Sequence, residues 1–171
     1  MTATPATPEQ LFARLASLGI ATRTHAHRPV FTVEESRDLR GAIAGVHCKS
    51  LYLKDKKDVV WLVVAEEERR IDMKALAGLI GAARISFGSP ERLRAHLGVE
   101  PGSVTPFALI NAPAGSIRVV LDSSVEAAET ANFHPLTNRM TTSIAPAELV
   151  RFLRACGHEP AIVDLARAAP P

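Results

Sequence analysis

Aromatic side chains are scarce in this sequence: they make up 5% of its 171 residues, with one Trp and one Tyr. An extended platform that stacks the bases of single-stranded nucleic acid needs more exposed rings than this. With 47% hydrophobic and 22% charged residues, the composition is that of a globular protein, whose core must be mainly Ala, Val, Leu and Ile. The length suits one domain over residues 1–171, with a flexible tail expected from about residue 165.

Cysteines and long hydrophobic runs are scarce too. Cys48 and Cys156 lie far apart, and in a cytosolic chain two free thiols are expected rather than a disulfide. The longest apolar run, VVWLVVA at 59–65, is far shorter than a membrane span. The N-terminal MTATPATPEQ has neither the basic start nor the apolar segment of a signal peptide. We therefore expect a cytoplasmic protein with no membrane partner.

The common metal and nucleotide motifs are absent. None of the six histidines lies in a His-Glu-x-x-His pattern, and no Cys-x-x-Cys occurs, although His25 and His27 would share a strand face. The phosphate-binding loop that ends in Gly-Lys-Ser/Thr is missing, as is a Gly-x-Gly-x-x-Gly turn after a strand. The sequence therefore predicts neither a metal site nor a cofactor.

Positive charge is concentrated in one part of the chain. The formal net charge is only +2, but residues 21–57 contain eight Lys or Arg and four Asp or Glu. Such an excess indicates a polyanionic partner. A solvated surface without a partner explains the same excess equally well.

Caps and periodicity predict the secondary structure. Helices are expected over 8–18, after the capping box that begins at Thr7, and over 33–39 (capped by Thr32), 72–80, 90–97 and 146–156. Strands are expected over 22–26, 46–53, 59–65, 107–111, 117–121, 131–134, 140–143 and 161–163. Hairpins dominate and helices come singly between them. This pattern predicts an α+β domain with a mixed, mostly antiparallel sheet, curled or forming a partial barrel, with flanking helices.

Lys49 is the first candidate functional residue. It shares a face of its strand with Leu51 and Leu53, and if these point inward the ammonium group needs a partner or a ligand anion. The alternative is an edge-strand lysine whose charge reaches water. The pattern does not separate the two.

His134 and the segment GSVTP at 102–106 are the other candidates. His134 precedes Pro135, which favours an extended backbone at a strand end; a structural histidine is the alternative. Gly102 can adopt a positive φ and allows a ligand to approach the backbone closely, while Pro106 fixes its own φ. The N–H groups between them could bind a carbonyl oxygen or an oxyanion. An ordinary turn is the alternative.

Taken in order, these segments resemble the YbaK/prolyl-tRNA-synthetase-associated editing domain family. The matching pieces are Lys49 in HCKSLYL, Gly-x-x-x-Pro at 102–106 before FALIN, and His134 in NFHPLTNRMTTS. The resemblance spans about residues 8–164 and is greatest to the free-standing Ala-tRNA(Pro) deacylases (ProXp-ala or PrdX type). It implies a trans-editing hydrolase that removes alanine from mischarged proline tRNA without a metal, the ribose 2′-hydroxyl assisting the attacking water.

The resemblance also implies site residues. Lys49, Gly102 and His134 would be catalytic: Lys49 near the terminal adenosine, the Gly102 backbone at the ester carbonyl, and His134 placing the amino acid or the tRNA end. Substrate-binding residues would be Thr32, Ser103, Val104, Thr105 and Pro106. The acceptor stem would contact the basic third of the chain, through Arg23, Arg28, Arg40, Lys54, Lys56 and Lys57.

Several alternatives remain open at this point. A related member could act on Cys-tRNA(Pro) or another mischarged tRNA. The domain could instead be a non-catalytic module that binds tRNA or a synthetase, or a small-ligand carrier with an anion site at Lys49. The expected partner is the tRNA(Pro) acceptor end carrying alanine, with prolyl-tRNA synthetase or an elongation factor as a transient partner.

Overall fold

Eight strands form one sheet in the computed structural model, which describes residues 4–29 and 33–171. The strands are β1 (Thr22–Ala26), β2 (Val46–Asp55), β3 (Val60–Glu66), β4 (Ile85–Phe87), β5 (Arg118–Asp122), β6 (Ala131–Phe133), β7 (Met140–Ile144) and β8 (Ala161–Val163). Their order across the sheet is β1-β7-β6-β2-β3-β5-β8, and β4 also pairs with β2.

The sheet is mixed and open. β1–β7, β2–β3, β2–β4 and β6–β7 are antiparallel, whereas β2–β6, β3–β5 and β5–β8 are parallel. This single domain with a mixed sheet confirms the predicted fold class. Within the described chain the two outer strands, β1 and β8, do not pair, so the sheet does not close into a barrel.

The described residues contain six α-helices: α1 (Pro8–Ser17), α2 (Val33–Ala42), α3 (Met73–Ile80), α4 (Pro90–Leu97), α5 (Ser123–Glu126) and α6 (Pro146–Ala155). The predicted cap at Thr7 is present, whereas the predicted cap of α2, Thr32, lies outside the described residues. The Thr7 hydroxyl accepts from the Gln10 amide in a complete capping box, and the side chains of Asp72 and Ser89 cap α3 and α4. Such caps satisfy amides that have no partner within the helix. No helix of the described chain combines the length and the apolar character that a membrane crossing would need.

Two hydrophobic cores lie on opposite faces of the sheet. The larger one packs α1, α4 and α6 against one face and contains Phe107, Phe133 and Phe152 in edge-to-face contacts. The smaller one packs α3 and a final 3-10 helix, Leu165–Ala168, against the other face of β2, β3 and β5. Leu165 and Ala168 are fully buried. The tail predicted from residue 165 is therefore packed through Ala168, a contact that composition did not indicate.

The segment predicted as a strand over 107–111 is the main error in the secondary structure. The segment forms a 3-10 helix, Pro106–Asn111. The next strand, β5, therefore does not form a hairpin with this segment and pairs in parallel with β3 instead. Thr105 caps this helix by accepting from the Phe107 amide at 3.3 Å. A short apolar run that is buried on all sides has no periodicity that separates strand from helix. The short elements β4 and α5 also escaped prediction.

Candidate functional site

The register of the strands places several polar side chains together at one end of the sheet face opposite the larger core. Leu53 of β2 packs into the smaller core, and Lys49 lies on the same face because alternate side chains share a side. His47 is paired with Asn132 of β6, so His134, two residues further on, continues that face. The helix α3 covers the face at Leu53 but not at Lys49. We use the term polar face for the uncovered part, formed by His27, His47, Lys49, Glu67, His134 and Thr141.

Lys49 pairs with Ala65 of β3 on one side, but β6 pairs with β2 only up to His47 and β4 only from Leu53 onward, so the pairing of the described strands does not exclude the edge-strand alternative. Its side chain is half-buried, and its Nζ donates a hydrogen bond to the carbonyl oxygen of Arg69. Burial lowers the pKa of Lys49 below its ordinary value; the Arg69 charge adds to that effect, and the Glu67 carboxylate opposes it. The ammonium group is therefore held in place by one carbonyl and keeps donors for a further ligand.

The loop that holds Lys49 is itself fixed by a buried ion pair. Arg69 donates from Nε to Asp122 at 2.5 Å, and Asp122 is fully buried at the end of β5. The same carboxylate accepts the amides of Ser124 and Leu165. Removing the Arg69 guanidinium would leave the buried Asp122 carboxylate uncompensated. The carbonyl that positions Lys49 is thus tied to the centre of the fold.

His134 is neutral at physiological pH, with one nitrogen free to accept a hydrogen bond. Its Nδ1 lies 3.1 Å from the carbonyl oxygen of Met140. Since a carbonyl only accepts, Nδ1 carries the proton, and in the neutral ring Nε2 has the lone pair. Burial lowers the pKa of His134, which the Met140 hydrogen bond and the Glu67 charge only partly offset. The ring therefore presents an unprotonated Nε2 at the polar face.

His27 also lies in the candidate site. From the sequence, this histidine stood out only as a possible metal ligand. Its Nδ1 donates to the Arg28 carbonyl at 2.6 Å, and its Nε2 lies 2.8 Å from the Thr141 hydroxyl. The ring centroid is 6.3 Å from that of His134. The pairing of β1 with β7 creates these contacts across 114 residues of chain, so no local pattern could have indicated them.

The loop around Gly102 faces the loop that follows His134. Residues 98–100, 102–103 and 136–139 line a cavity of about 620 Å³ together with Pro29. Leu136 adopts a φ of 69°, unusual for a side chain of its size. Backbone strain of this kind is typically found at functional sites. The cavity lies beside the polar face, since the backbone N–H of His27 donates to the Arg139 carbonyl at 2.9 Å.

The backbone of the Gly102 loop differs from the prediction in two respects. Gly102 does not have a positive φ, so the glycine is not required by backbone conformation. A Cβ built there would meet only Asn138, whose Nδ2 is 3.8 Å away, so the absent side chain leaves space in the cavity. The Ser103 amide is not available to a ligand either, because it donates to the Glu100 carbonyl at 2.8 Å.

The remaining residues of this segment divide between cavity and core. Among the described residues no acceptor is within reach of the Gly102 or Thr105 amide, and Gly102 is exposed. Pro106 is buried at the start of its 3-10 helix, and Val104 packs against the larger core. Gly102 is therefore the backbone donor best placed to meet a ligand, while Pro106 and Thr105 fix the path of the chain.

The predicted tRNA-binding residues lie in two separate places. Arg23 and Arg28 are exposed at or just beyond β1, on the outer edge of the sheet, whereas Lys56 and Lys57 are exposed in the β2–β3 turn. Lys54 is half-buried, about 23 Å along β2 from His47. Two candidates, Thr32 and the side chain of Arg40, lie outside the described residues.

Neither cysteine forms part of the site. Both are free and half-buried. Burial raises the pKa of both thiols, that of Cys156 to about 11, so neither is a thiolate at neutral pH. Among residues 4–29 and 33–171, no three His, Cys, Asp or Glu side chains are grouped so that they could hold a metal ion.

The polar face and the Gly102 loop thus lie together in one small α+β domain. Residues 27–152, which include the whole polar face and the Gly102 loop, match the family described as the aminoacyl-tRNA editing domain. The chain therefore belongs to the aminoacyl-tRNA editing domain family.

Individual relatives agree with this assignment. The chain is 36% identical over 156 residues to the prolyl-tRNA synthetase associated domain-containing protein 1 of Bos taurus, covering 88% of this chain and 91% of that protein. It is 30% identical over 158 residues to the prolyl-tRNA editing protein ProX of Acetoanaerobium sticklandii, covering 92% and 96%. A crystal structure of a proposed trans-editing enzyme for prolyl-tRNA synthetase superposes with a TM-score of 0.69 over 91% of this chain and 95% of that one, at 22% identity, which supports the fold.

Proposed function

We propose that this protein is a trans-editing deacylase that hydrolyses alanine from mischarged Ala-tRNA(Pro). The observation that carries the proposal is the arrangement of the polar face: a held ammonium at Lys49 and a neutral, unprotonated Nε2 at His134, beside a loop whose Gly102 amide has no acceptor among the described residues. One relative named as a prolyl-tRNA editing protein, and another named for a prolyl-tRNA synthetase associated domain, support the substrate class.

In the proposed reaction, water attacks the ester carbonyl carbon and the bond to the ribose oxygen breaks. The products are alanine and uncharged tRNA, and the ribose 2′-hydroxyl assists the water. The Gly102 amide donates to the carbonyl oxygen, where negative charge develops; loss of one such donor typically lowers a rate by about 10²–10³. Lys49 binds the terminal adenosine through its remaining donors, and His134 Nε2 accepts a hydrogen bond from the amino acid end.

Substrate selection follows from size. A pocket shaped for the alanine methyl group excludes the larger proline ring by steric conflict, which discriminates more strongly than a missing contact. Cysteine is only slightly larger than alanine, so Cys-tRNA(Pro) is the competing substrate that the test must include. Prolyl-tRNA synthetase and an elongation factor are the proposed transient partners that would deliver or receive the tRNA.

The test is a panel of Ala-, Cys-, Ser- and Pro-tRNA(Pro) incubated with purified protein, with and without a chelator. We expect rapid hydrolysis of Ala-tRNA(Pro), intact Pro-tRNA(Pro), and no effect of the chelator. Faster hydrolysis of Cys-tRNA(Pro) would replace alanine by cysteine as the substrate. Tight tRNA binding without any hydrolysis would favour a non-catalytic module, and loss of activity with the chelator would contradict the metal-independent reaction.

A further inference from the structure

Phe87 is the most exposed large hydrophobic side chain of the described residues. It is 63% exposed at the end of β4, compared with 45% for Ile162 on β8. The other phenylalanines of the described chain are buried or packed against the larger core. An exposed ring removes little apolar surface from water, so Phe87 does not stabilise the fold. Its position relative to the site suggests what it contacts.

Phe87 lies on the same face of the sheet as Lys49. It is paired with Leu53 in the antiparallel β2–β4 ladder, and paired residues share a face. Lys49 is four residues from Leu53 on β2, about 13 Å along the strand, with one strand spacing of about 5 Å to the side. β6 pairs with β2 only at His47 and Val46, so no strand of the described chain separates Phe87 from the polar face.

Three exposed cations lie at the start of β4 and in the neighbouring β2–β3 turn. Lys56 and Lys57 are exposed in the turn at the end of β2, and the Lys56 amide donates to the carbonyl of Arg84, which is also exposed. No carboxylate of the described residues pairs with any of these three cations. The turn contains two acids: Asp55 is buried and accepts the amides of Lys57 and Val59, and Asp58 is exposed and pairs with Arg92. Neither forms an ion pair with the three cations.

From this arrangement we infer that Phe87 is a stacking site for the unpaired 3′ nucleotides of the tRNA substrate, with Lys56, Lys57 and Arg84 binding the adjoining phosphates. An exposed ring beside unpaired cations is the combination that binds single-stranded nucleic acid without reading its sequence. With the aminoacylated ribose at Lys49, the nucleotides that link it to the double-helical stem reach Phe87. The inference rests on the proposed function for the orientation of the tRNA.

The experiment compares two substrates and matched variants. Wild-type protein, Phe87→Ala and Ile162→Ala are assayed on Ala-tRNA(Pro) and on alanyl-adenosine, the ester of the terminal nucleoside alone. Because stacking of one base contributes about 1–3 kcal/mol, Phe87→Ala should lower kcat/KM on the tRNA by about 5- to 100-fold. It should leave hydrolysis of alanyl-adenosine unchanged, Phe87→Trp should retain activity, and Ile162→Ala should behave as wild type.

Charge variants test the second half of the inference. Arg84→Glu should weaken tRNA binding and reduce its salt dependence, whereas Arg167→Glu, an exposed arginine on the final 3-10 helix, should not. An equal loss on both substrates for Phe87→Ala would identify a structural role and overturn the inference. Full activity of Phe87→Ala on the tRNA would overturn it as well.

A binding arm separates this inference from the proposed function. Uncharged tRNA(Pro) is titrated with and without its unpaired 3′ end. Removing that end should weaken binding to wild-type protein more than binding to Phe87→Ala, which keeps only the Lys49 contact with the terminal adenosine, whether or not the protein hydrolyses any ester. If the wild type hydrolyses neither substrate yet shows this difference, the deacylase proposal fails and the stacking site stands. If truncation weakens both proteins equally, the stacking site is excluded.

Discussion

The two faces of strand β2 differ in how completely they are covered. On one face Tyr52 is buried in the larger core, which is filled by helices from several parts of the chain. On the other face Leu53 is fully buried, but Leu51 and Lys49 are only half-buried. The part of this face that α3 covers is apolar, and the part that α3 does not reach is polar. The larger core on one face and the smaller core around Leu53 on the other thus provide the stability. The polar face provides the proposed chemistry.

The first way to test this comparison is to damage the filled face. Phe107 is fully buried between Phe133 and Phe152. Phe107→Ala should lower the free energy of unfolding by about 3–5 kcal/mol, since it removes apolar contact and leaves a cavity. Urea denaturation followed by circular dichroism measures the loss. A change below about 1 kcal/mol would show that the larger core does not carry the stability.

Gly102→Ala probes the open side with a smaller expected effect. The backbone there is unstrained and the new methyl group would point toward Asn138 in the cavity. The variant should fold normally, with a change in the free energy of unfolding below about 1 kcal/mol, and lose about 100-fold in kcat/KM on Ala-tRNA(Pro) because the methyl group keeps the ester from the amide.

Gly78→Ala is the matched control, because a Cβ added there meets no atom within 4 Å. It should retain full activity. If Gly102→Ala were as active as this control, the Gly102 amide would not be the donor to the ester.

The smallest expected effect is the change in the free energy of unfolding when the pH is lowered. Burial lowers the pKa of His96, His134 and His158 in the folded protein, so the unfolded chain binds more protons below its ordinary pKa of about 6.5. The histidine contribution is fully present above that pH and is lost as the pH falls toward the folded values. The free energy of unfolding should therefore be lower at about pH 5.5 than at about pH 7.5.

His134→Gln isolates the contribution of His134 to this pH dependence of the free energy of unfolding. The glutamine amide can still donate to the Met140 carbonyl but cannot gain a charge. The difference in stability between the two pH values should shrink in this variant. An unchanged difference would mean that His134 is not held neutral by burial.

Local signals made much of the fold predictable. Caps such as Thr7, Asp72 and Ser89 act within three or four residues, so helix starts can be recognised without the tertiary structure. The β2–β3 hairpin is also local, and its period-2 pattern placed Lys49 with Leu51 and Leu53. Whether that face was covered at Lys49 depended on where α3 packs, which no local pattern contains.

The rest of the site depends on contacts between distant segments. Arg69 reaches Asp122 across 53 residues, and His27 reaches Thr141 across 114. The run 107–111 was misassigned because complete burial removes periodicity. Gly102 lines a cavity, but it does not have the positive φ that was expected of it, and its role in the site stays a prediction. A glycine kept for space rather than for conformation cannot be recognised without its neighbours.

The most direct test of the account compares adjacent residues on the two faces of β2. Lys49→Met removes the charge on the polar face, and Ser50→Ala changes the next residue, which points to the other side. In single-turnover hydrolysis of Ala-tRNA(Pro), Lys49→Met should lose about 100-fold in rate without a loss of thermal stability, and Ser50→Ala should remain within about twofold of wild type. Hydrolysis by Lys49→Met at the wild-type rate would contradict the claim that the polar face is the active site.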